Sequence, residues 1–560
     1  MRKLAVALLL VALLAVPTAP ASAVPPAACP GGGTPTQVFT GTFGSDMEGA
    51  YVLVPFNVPD GTTRVRVKLC YDQPDSPTSS QIKHTLDLGL YGTRGADGFF
   101  DVEEFRGWGG SSRLNAFVTP EEATLGFKPG PIPAGEWAAE MGVAAVADVT
   151  EGDFDGRVAW RLEIFLGSSL EDLDQPWQPA PYDTTPARSQ PGWYKGDFHV
   201  HAEHSNPNGA TMRETFDYAF SDRPAGAGLD FITLSDYVTD RHWDEIGRFQ
   251  ADYPSKLIVR SAEVITYRGH INNHASVTLV DYRTGSVYEL SDGALTKVRD
   301  AQPASRIFQD IRAGGGFTQI NHPTTFPSDV PMFANLCRGC SWEYSDEETN
   351  WSLVDAMEIQ TGPAGTPDPD GHEVGPNPFT PLAIEWWDRL RNQGYRITGL
   401  GSSDSHNAGH ETVTQSPIGE PTTVVYAKEL SEKGVQEAIR AGHAYVKFFS
   451  SDGPDLRFTA RSLDGPGKGP KGIMGDRLRA TRAEATARVL GAAPDPEPRT
   501  LIVMKDGAPW LSYPVISDDF TATFVIDTPG HYRLQLMRGS AFEALTNPIT
   551  LSPPPPRGRQ

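Results

Sequence analysis

Gly196-Asp197-Phe198-His199-Val200-His201-Ala202-Glu203-His204 is the stretch on which the reading of the whole chain turns. His199 and His201 alternate with apolar residues, so on an extended strand both imidazoles point to one side. Two imidazoles at a strand end begin a metal site, and the remaining ligands must come from elsewhere. The segment around this stretch, from Gly192 to about Ser450, alternates strand-like and helix-like patterns. Candidate strands are Asp197–His201, Phe231–Ser235, Leu257–Glu263, Ala275–Val280, Gly316–His322, Ala356–Gln360 and Arg396–Ser403. Helical patterns fall at Met212–Asp222, Trp243–Asp252, Ala304–Ala313, Pro381–Asn392 and Glu432–Ala441. This alternation predicts an α/β domain with a parallel barrel or an open sheet. Eleven of the thirteen histidines fall inside it, which locates the chemistry.

Candidate ligands sit at the carboxyl ends of the predicted strands, the edge where such folds assemble their sites. His199 and His201 end the first strand, Asp236 follows the second, and Glu263 ends the third. His270 and His274 precede the fourth, His322 ends the fifth, and Asp404 and His406 end the seventh. One histidine alone is more often structural, but the pairs His199-x-His201 and Asp404-x-His406, joined by a strand-end Glu and His, point to a metal centre. Mixed imidazole and carboxylate ligands suit zinc, manganese or iron. Arg268 and Lys195 lie close in sequence to ligands and are candidates for pairing with an anionic substrate. His410 is a candidate pocket residue; His242 and His443 read as structural, and His372 lies in an acidic loop over 368–375.

The motifs Lys195-Gly196-Asp197-Phe198-His199-Val200-His201, Ser235-Asp236, Ala262-Glu263-Val264, Gly269-His270, Asn321-His322-Pro323 and Ser403-Asp404-Ser405-His406 resemble those of the polymerase and histidinol phosphatase (PHP) superfamily. The likeness is greatest to its exported, carbaryl-hydrolase-like branch. The resemblance implies a distorted (β/α)7 PHP-type barrel holding two or three divalent ions. It implies hydrolysis of phosphoesters, or of carbamate and ester-like bonds in that branch. His199, His201, Glu263 and Asp404 would hold one ion, with Glu263 bridging to a second on His270 and His322. His406, with a residue near His204, would serve a third. His274 stands as an alternative to His270. Tyr237 follows Asp236 where the family commonly has histidine, which puts the third ion in doubt. A metal-bridging hydroxide would attack phosphorus or an acyl carbon, and Asp236 or Tyr237 would protonate the leaving group.

The flanks read differently. Met1-Arg2-Lys3, the apolar run Leu4–Val16 and Ala21-Ser22-Ala23 form the pattern of a secretory signal peptide cleaved near Ala23. No later run approaches the ~18–20 apolar residues of a membrane span. The expectation is therefore a secreted or extracytoplasmic protein. Residues 24–170 and 453–552 alternate over strand lengths and predict β-sandwich domains, with 171–191 a linker and 553–560 a disordered tail. Four cysteines suit an oxidising compartment. Cys29–Cys70 and Cys337–Cys340 are the preferred pairs, each lying within one segment, while Cys337-x-x-Cys340 alone would also suit zinc or redox chemistry.

The formal charge of −22 argues against duplex nucleic acid as a partner. The reading is a metal-dependent hydrolase of a small-molecule or phosphoester substrate, a carbamate, carboxylic ester or amide hydrolase being the alternative. A non-catalytic, metal-stabilised surface binding protein is the reading from another class. Oligomeric state is open.

Overall fold

The structure is a computed structural model that describes residues 23–74, 82–151, 153, 155–168, 176–367, 373–410, 415–465, 469–492 and 497–554. Residues 1–22 of the expected signal peptide, His372 and the tail beyond 554 lie outside the described residues, as does the first part of the expected linker. Among the described residues, no helix is long and apolar enough to cross a membrane.

β-structure dominates: among the described residues, thirty-one strands stand against seven α-helices, in five sheets. The expected (β/α)7 PHP-type barrel is therefore corrected. The strands that carry the metal-site motifs belong to a mixed sheet of fifteen strands, which continues into the C-terminal region. Gly192–Val200 runs parallel to Phe231–Leu234, and that strand runs parallel to Leu257–Thr266. The regular strand–helix alternation then breaks. After Leu257–Thr266 the chain turns straight back into Gly269–His274, which pairs antiparallel with it. The turn is tight because residue 269 has no side chain: a Cβ there would come within 2.4 Å of the Trp342 ring that covers it. The predicted strand Ala275–Val280 is irregular chain, its place in the sheet taken by Gly269–His274. Thr422–Ala427 then pairs antiparallel with Gly192–Val200, and Ala444–Lys447 carries the sheet on to Ala541–Thr546.

A second departure ties the segments together. Val287–Ser291 and Ala294–Arg299 leave the central region as a hairpin, and Val287–Ser291 pairs with Tyr51–Val58 in the N-terminal six-stranded sheet. Its turn is Asp292-Gly293, both at positive φ (51° and 78°), the conformation of the favoured two-residue hairpin loop. This sheet faces the four-stranded sheet of Gln37–Gly44, Arg157–Gly167, Arg64–Tyr71 and Asn115–Val118 across a core of Phe43, Val65, Val67, Trp137 and Trp160. Cys29 and Cys70 are joined by a disulfide with Cα atoms 5.5 Å apart.

Near the C-terminus a four-stranded sheet containing Asp455–Ser462 and Ala483–Leu490 packs its apolar face on the end of the large sheet, around Phe458, Leu501 and Leu534.

Charged groups seal the joint between hairpin and N-terminal sheet. Arg283 lies 2.9 Å from Asp281 and 3.6 Å from Glu140, and Arg299 reaches Asp281 at 2.6 Å. The Tyr282 hydroxyl donates to Glu140. Burial pushes the Glu140 carboxyl up to about 7, opposed by Arg283. Removing one member of such a buried network strands the others without compensation. Arg283→Met is expected to cost about 3–5 kcal/mol in urea denaturation.

Candidate metal centre

Strand alternation builds the first part of the site. Phe198 turns into an apolar cluster with Phe231, Val259 and Phe317, so Asp197, His199 and His201 emerge together on the other face. Asp197 is buried and accepts from the backbone N–H groups of His199 (3.2 Å), Ser403 (3.1 Å) and Gly419 (2.8 Å). Burial pushes its carboxyl up to about 6 against these bonds. Asp197 thus ties the Ser403–His406 segment to the first strand, as do Asp404 N–H to His199 C=O and His201 N–H to Ser405 C=O, both 2.9 Å. Asp404 and His322 have φ of 53° and 29°, unusual for residues with side chains. Backbone held there costs on the order of 1–3 kcal/mol and clusters at functional sites.

Two ligand groups meet on one carboxylate. His199 Nε2 lies 3.4 Å from Glu263 Oε1 and 3.4 Å from Asp404 Oδ1. His201 Nε2 lies 3.5 Å from Glu263 Oε2 and 3.0 Å from Asp404 Oδ1. On the other side, His270 Nδ1 and His322 Nε2 approach Glu263 Oε1 at 3.2 and 3.3 Å. Asn321 Nδ2 donates to that same oxygen at 3.0 Å.

His406 stacks on His201, ring centroids 4.2 Å apart, and a ring nitrogen of each joins a carboxylate oxygen of Asp404 in a third group.

Each ligand imidazole has its outer nitrogen engaged, which turns the inner nitrogen toward the carboxylates. His199 Nδ1–H donates to Glu358 at 2.9 Å. His201 Nδ1–H donates to Ser205 Oγ at 2.9 Å, and Ser205 donates on to Asp236 at 2.6 Å. His270 Nε2–H donates to the Arg338 carbonyl (3.2 Å) and His322 Nδ1–H to that of Cys340 (2.8 Å). Imidazole nitrogens thus face carboxylate oxygens, an arrangement that could hold a cation between them. His199 Nε2 makes the point most directly: it is buried and has no hydrogen-bond partner among the described residues. The donor set thus fits divalent metal ions held by imidazole and carboxylate.

The electrostatics agree. Burial would depress the pKa of His199, but Asp404, Glu263 and Glu358 push it well above the ordinary value. Burial likewise opposes ionisation of Glu263, yet His199 and His270 hold its carboxyl well below the usual range. Burial lowers His406 to about 4.

Several expected residues lie elsewhere. His204 faces the N-terminal region: its Nδ1 accepts from Gly126 N–H at 3.1 Å and its Nε2 lies 3.5 Å from Glu245, so it joins none of the ligand groups. His274 contacts Gln319 at 3.1 Å and stacks on Phe317, and burial lowers it to about 3; His270, not His274, belongs to the groups that could hold an ion. Asp236 is sealed beneath the site, accepting from Ser205 and from Ala202 N–H, and positions His201 through Ser205. Tyr237 lines the cleft with its ring 5.3 Å from that of His201. Arg268 is paired with Glu348 at 2.6 Å away from the cleft, Lys195 lies four residues before His199 on its strand, and His410 is exposed. Cys337 and Cys340 form a disulfide, Cα atoms 5.6 Å apart.

Sequence reasoning missed Glu358, Ser205 and Asn321. Glu358 had a legible signal, an acid alone within the apolar strand Ala356–Thr361.

Glu263, His270, His322, Asp404 and His406 line a cleft of about 500 Å³, with His199 and His201 buried beside them. The N-terminal region contributes Asp87, Trp108 and Ser111 to the lining, alongside Tyr237, Phe326 and Leu336, and Trp108 meets Tyr237 edge to face, ring centroids 6.0 Å apart. No family model, no curated protein and no solved structure matches the chain.

Two outcomes test the ligand assignment. His270→Ala is expected to lose one equivalent of bound ion by elemental analysis, while His274→Phe retains the full complement. His199 and His322 are both raised in pKa by the carboxylates around them, so ion binding is expected to displace protons from the site. Calorimetric titration in two buffers of different ionisation enthalpy should therefore give different apparent enthalpies, the sign being proton release.

Proposed function

We propose that the chain is a metal-dependent hydrolase, most readily of phosphoesters, as its motifs' resemblance to the PHP superfamily implies. The observation that carries this reading is the buried, unpartnered His199 Nε2 facing Glu263 and Asp404, two carboxylates that line an open cleft. A purely structural site would be closed, its coordination filled by protein. Adjacent cations, when bound, would supply an acidified water and neutralise the charge that develops on the scissile group. Glu263 stays ionised between the two ligand groups and fixes their spacing. Tyr237 is the candidate proton donor to the leaving group, since burial pushes its phenol well above the ordinary value and keeps it protonated. Asp236, the other candidate from sequence, is shut off from the cleft by Ser205.

Hydrolysis of a neutral carbamate or carboxylic ester is favoured by one observation. Arg338 is the sole arginine or lysine among the described residues lining the cleft, and it lies 3.3 Å from Glu48. A dianionic phosphomonoester would find little charge there beyond the ions themselves.

Panels of phosphomonoesters, phosphodiesters, carboxylic esters and carbamates distinguish the readings. Chelation should abolish the activity and re-addition of a divalent ion restore it. Glu263→Ala should lose more than about 100-fold, because even outer partners of metal ligands cost 10–100-fold. Equal turnover by the two proteins would sink the proposal.

A further inference from the structure

The four-residue loop Cys337-Arg338-Gly339-Cys340 supplies both carbonyls that orient the imidazoles of the second ligand group. Its backbone lies flush against the turn after Leu257–Thr266: Gly339 has φ 78°, and a Cβ there would come within 2.4 Å of the Thr266 carbonyl oxygen. The disulfide closes this loop, and both cysteines line the cleft, where a small reductant can reach them. The sulfurs also lie next to His270, one of whose ring nitrogens and the two Sγ atoms are all within 4.8 Å of one another.

We infer that the Cys337–Cys340 disulfide is a redox latch on the second ion site, and that its reduction creates a different metal site from Cys337, Cys340 and His270. The inference rests on the ligand groups assigned above and names a regulation of that centre. In the oxidised chain the loop carbonyls hold His270 and His322 toward Glu263. A dithiol reductant attacks one sulfur to give a mixed disulfide, and its second thiol then displaces the remaining protein sulfur. The protein S–S bond is broken, two protein thiols form, and the dithiol leaves as a cyclic disulfide. The thiols lose their protons on binding a soft ion, and thiolate ligands select zinc or cobalt over manganese. Three protein ligands leave a fourth position open to water. His270 is then drawn to the sulfurs, and the group on Glu263 loses a member.

The test is a Co2+ titration of the full chain, oxidised and after dithiothreitol reduction followed by anaerobic gel filtration, with Mn2+ affinity measured in parallel. The reduced chain should gain thiolate-to-cobalt charge-transfer absorption at one equivalent, and the oxidised chain should show none. C337S/C340S, which retains Cys29 and Cys70, should show none in either state, and His270→Ala should weaken the reduced-state band. The affinity for the second Mn2+ should fall about 10–100-fold on reduction, the range for losing outer partners of metal ligands. Reduced chain without the band, or with unchanged Mn2+ affinity, overturns the latch. Two equivalents bound alike in both states would overturn the latch alone, whereas no binding in the oxidised chain would overturn the proposed function with it.

Discussion

The structure depends on one buried carboxylate. Glu263 sits at the meeting point of His199, His201, His270 and His322, with Asn321 donating to it. A desolvated charge is costly unless compensated on all sides. Here the compensation comes from separate segments of chain: the first strand, the Gly269–His274 hairpin and the Asn321-His322 turn. Misplacing any one of them leaves the charge partly exposed to apolar surroundings. The position of Glu263 therefore constrains strand order and register as much as it serves chemistry.

The N-terminal region takes part in that constraint. Arg113, itself buried, donates to the carbonyls of Glu203, His204 and Ser205, and Gly126 N–H reaches His204. These bonds shape the loop that brings Ser205 against His201. A region that reads in sequence as a separate β domain is thus an outer support of the first ligand group, and Trp108 extends it into the cleft wall.

The candidate ligand pairs were legible in sequence because their spacing is local: His199-x-His201 and Asp404-x-His406 need only strand ends to converge. The sheet was not. Strand lengths at Leu257–Thr266 and Ala356–Thr361 follow from apolar runs, but the hairpin at Tyr267-Arg268-Gly269 turns on one missing Cβ beneath Trp342. The alternation of helices and strands suggested parallel connections, and it overlooked Asp292-Gly293, whose turn chemistry sends a hairpin out of the central region altogether. The choice between His270 and His274 was closed to sequence because both lie on one face of one short strand. Packing separates them, setting His274 against Phe317 and leaving His270 beside Glu263. The outer supports were hardest to read, because Ser205, Arg338 and Cys340 act through a hydroxyl or backbone carbonyls that carry no motif.

The hairpin donated to the N-terminal sheet has a consequence for how the cleft meets its ligand. A clamshell enzyme shuts by bending at a hinge, and uses that motion to discriminate and to expel water. Here Val287–Ser291 is stitched into the opposite sheet and sealed by Arg283 and Arg299, so bending at that seam would tear ladder bonds and bare buried charges. The aperture is set when the protein folds. A ligand that the cleft admitted would have to fit it as it stands, with preorganisation in place of closure.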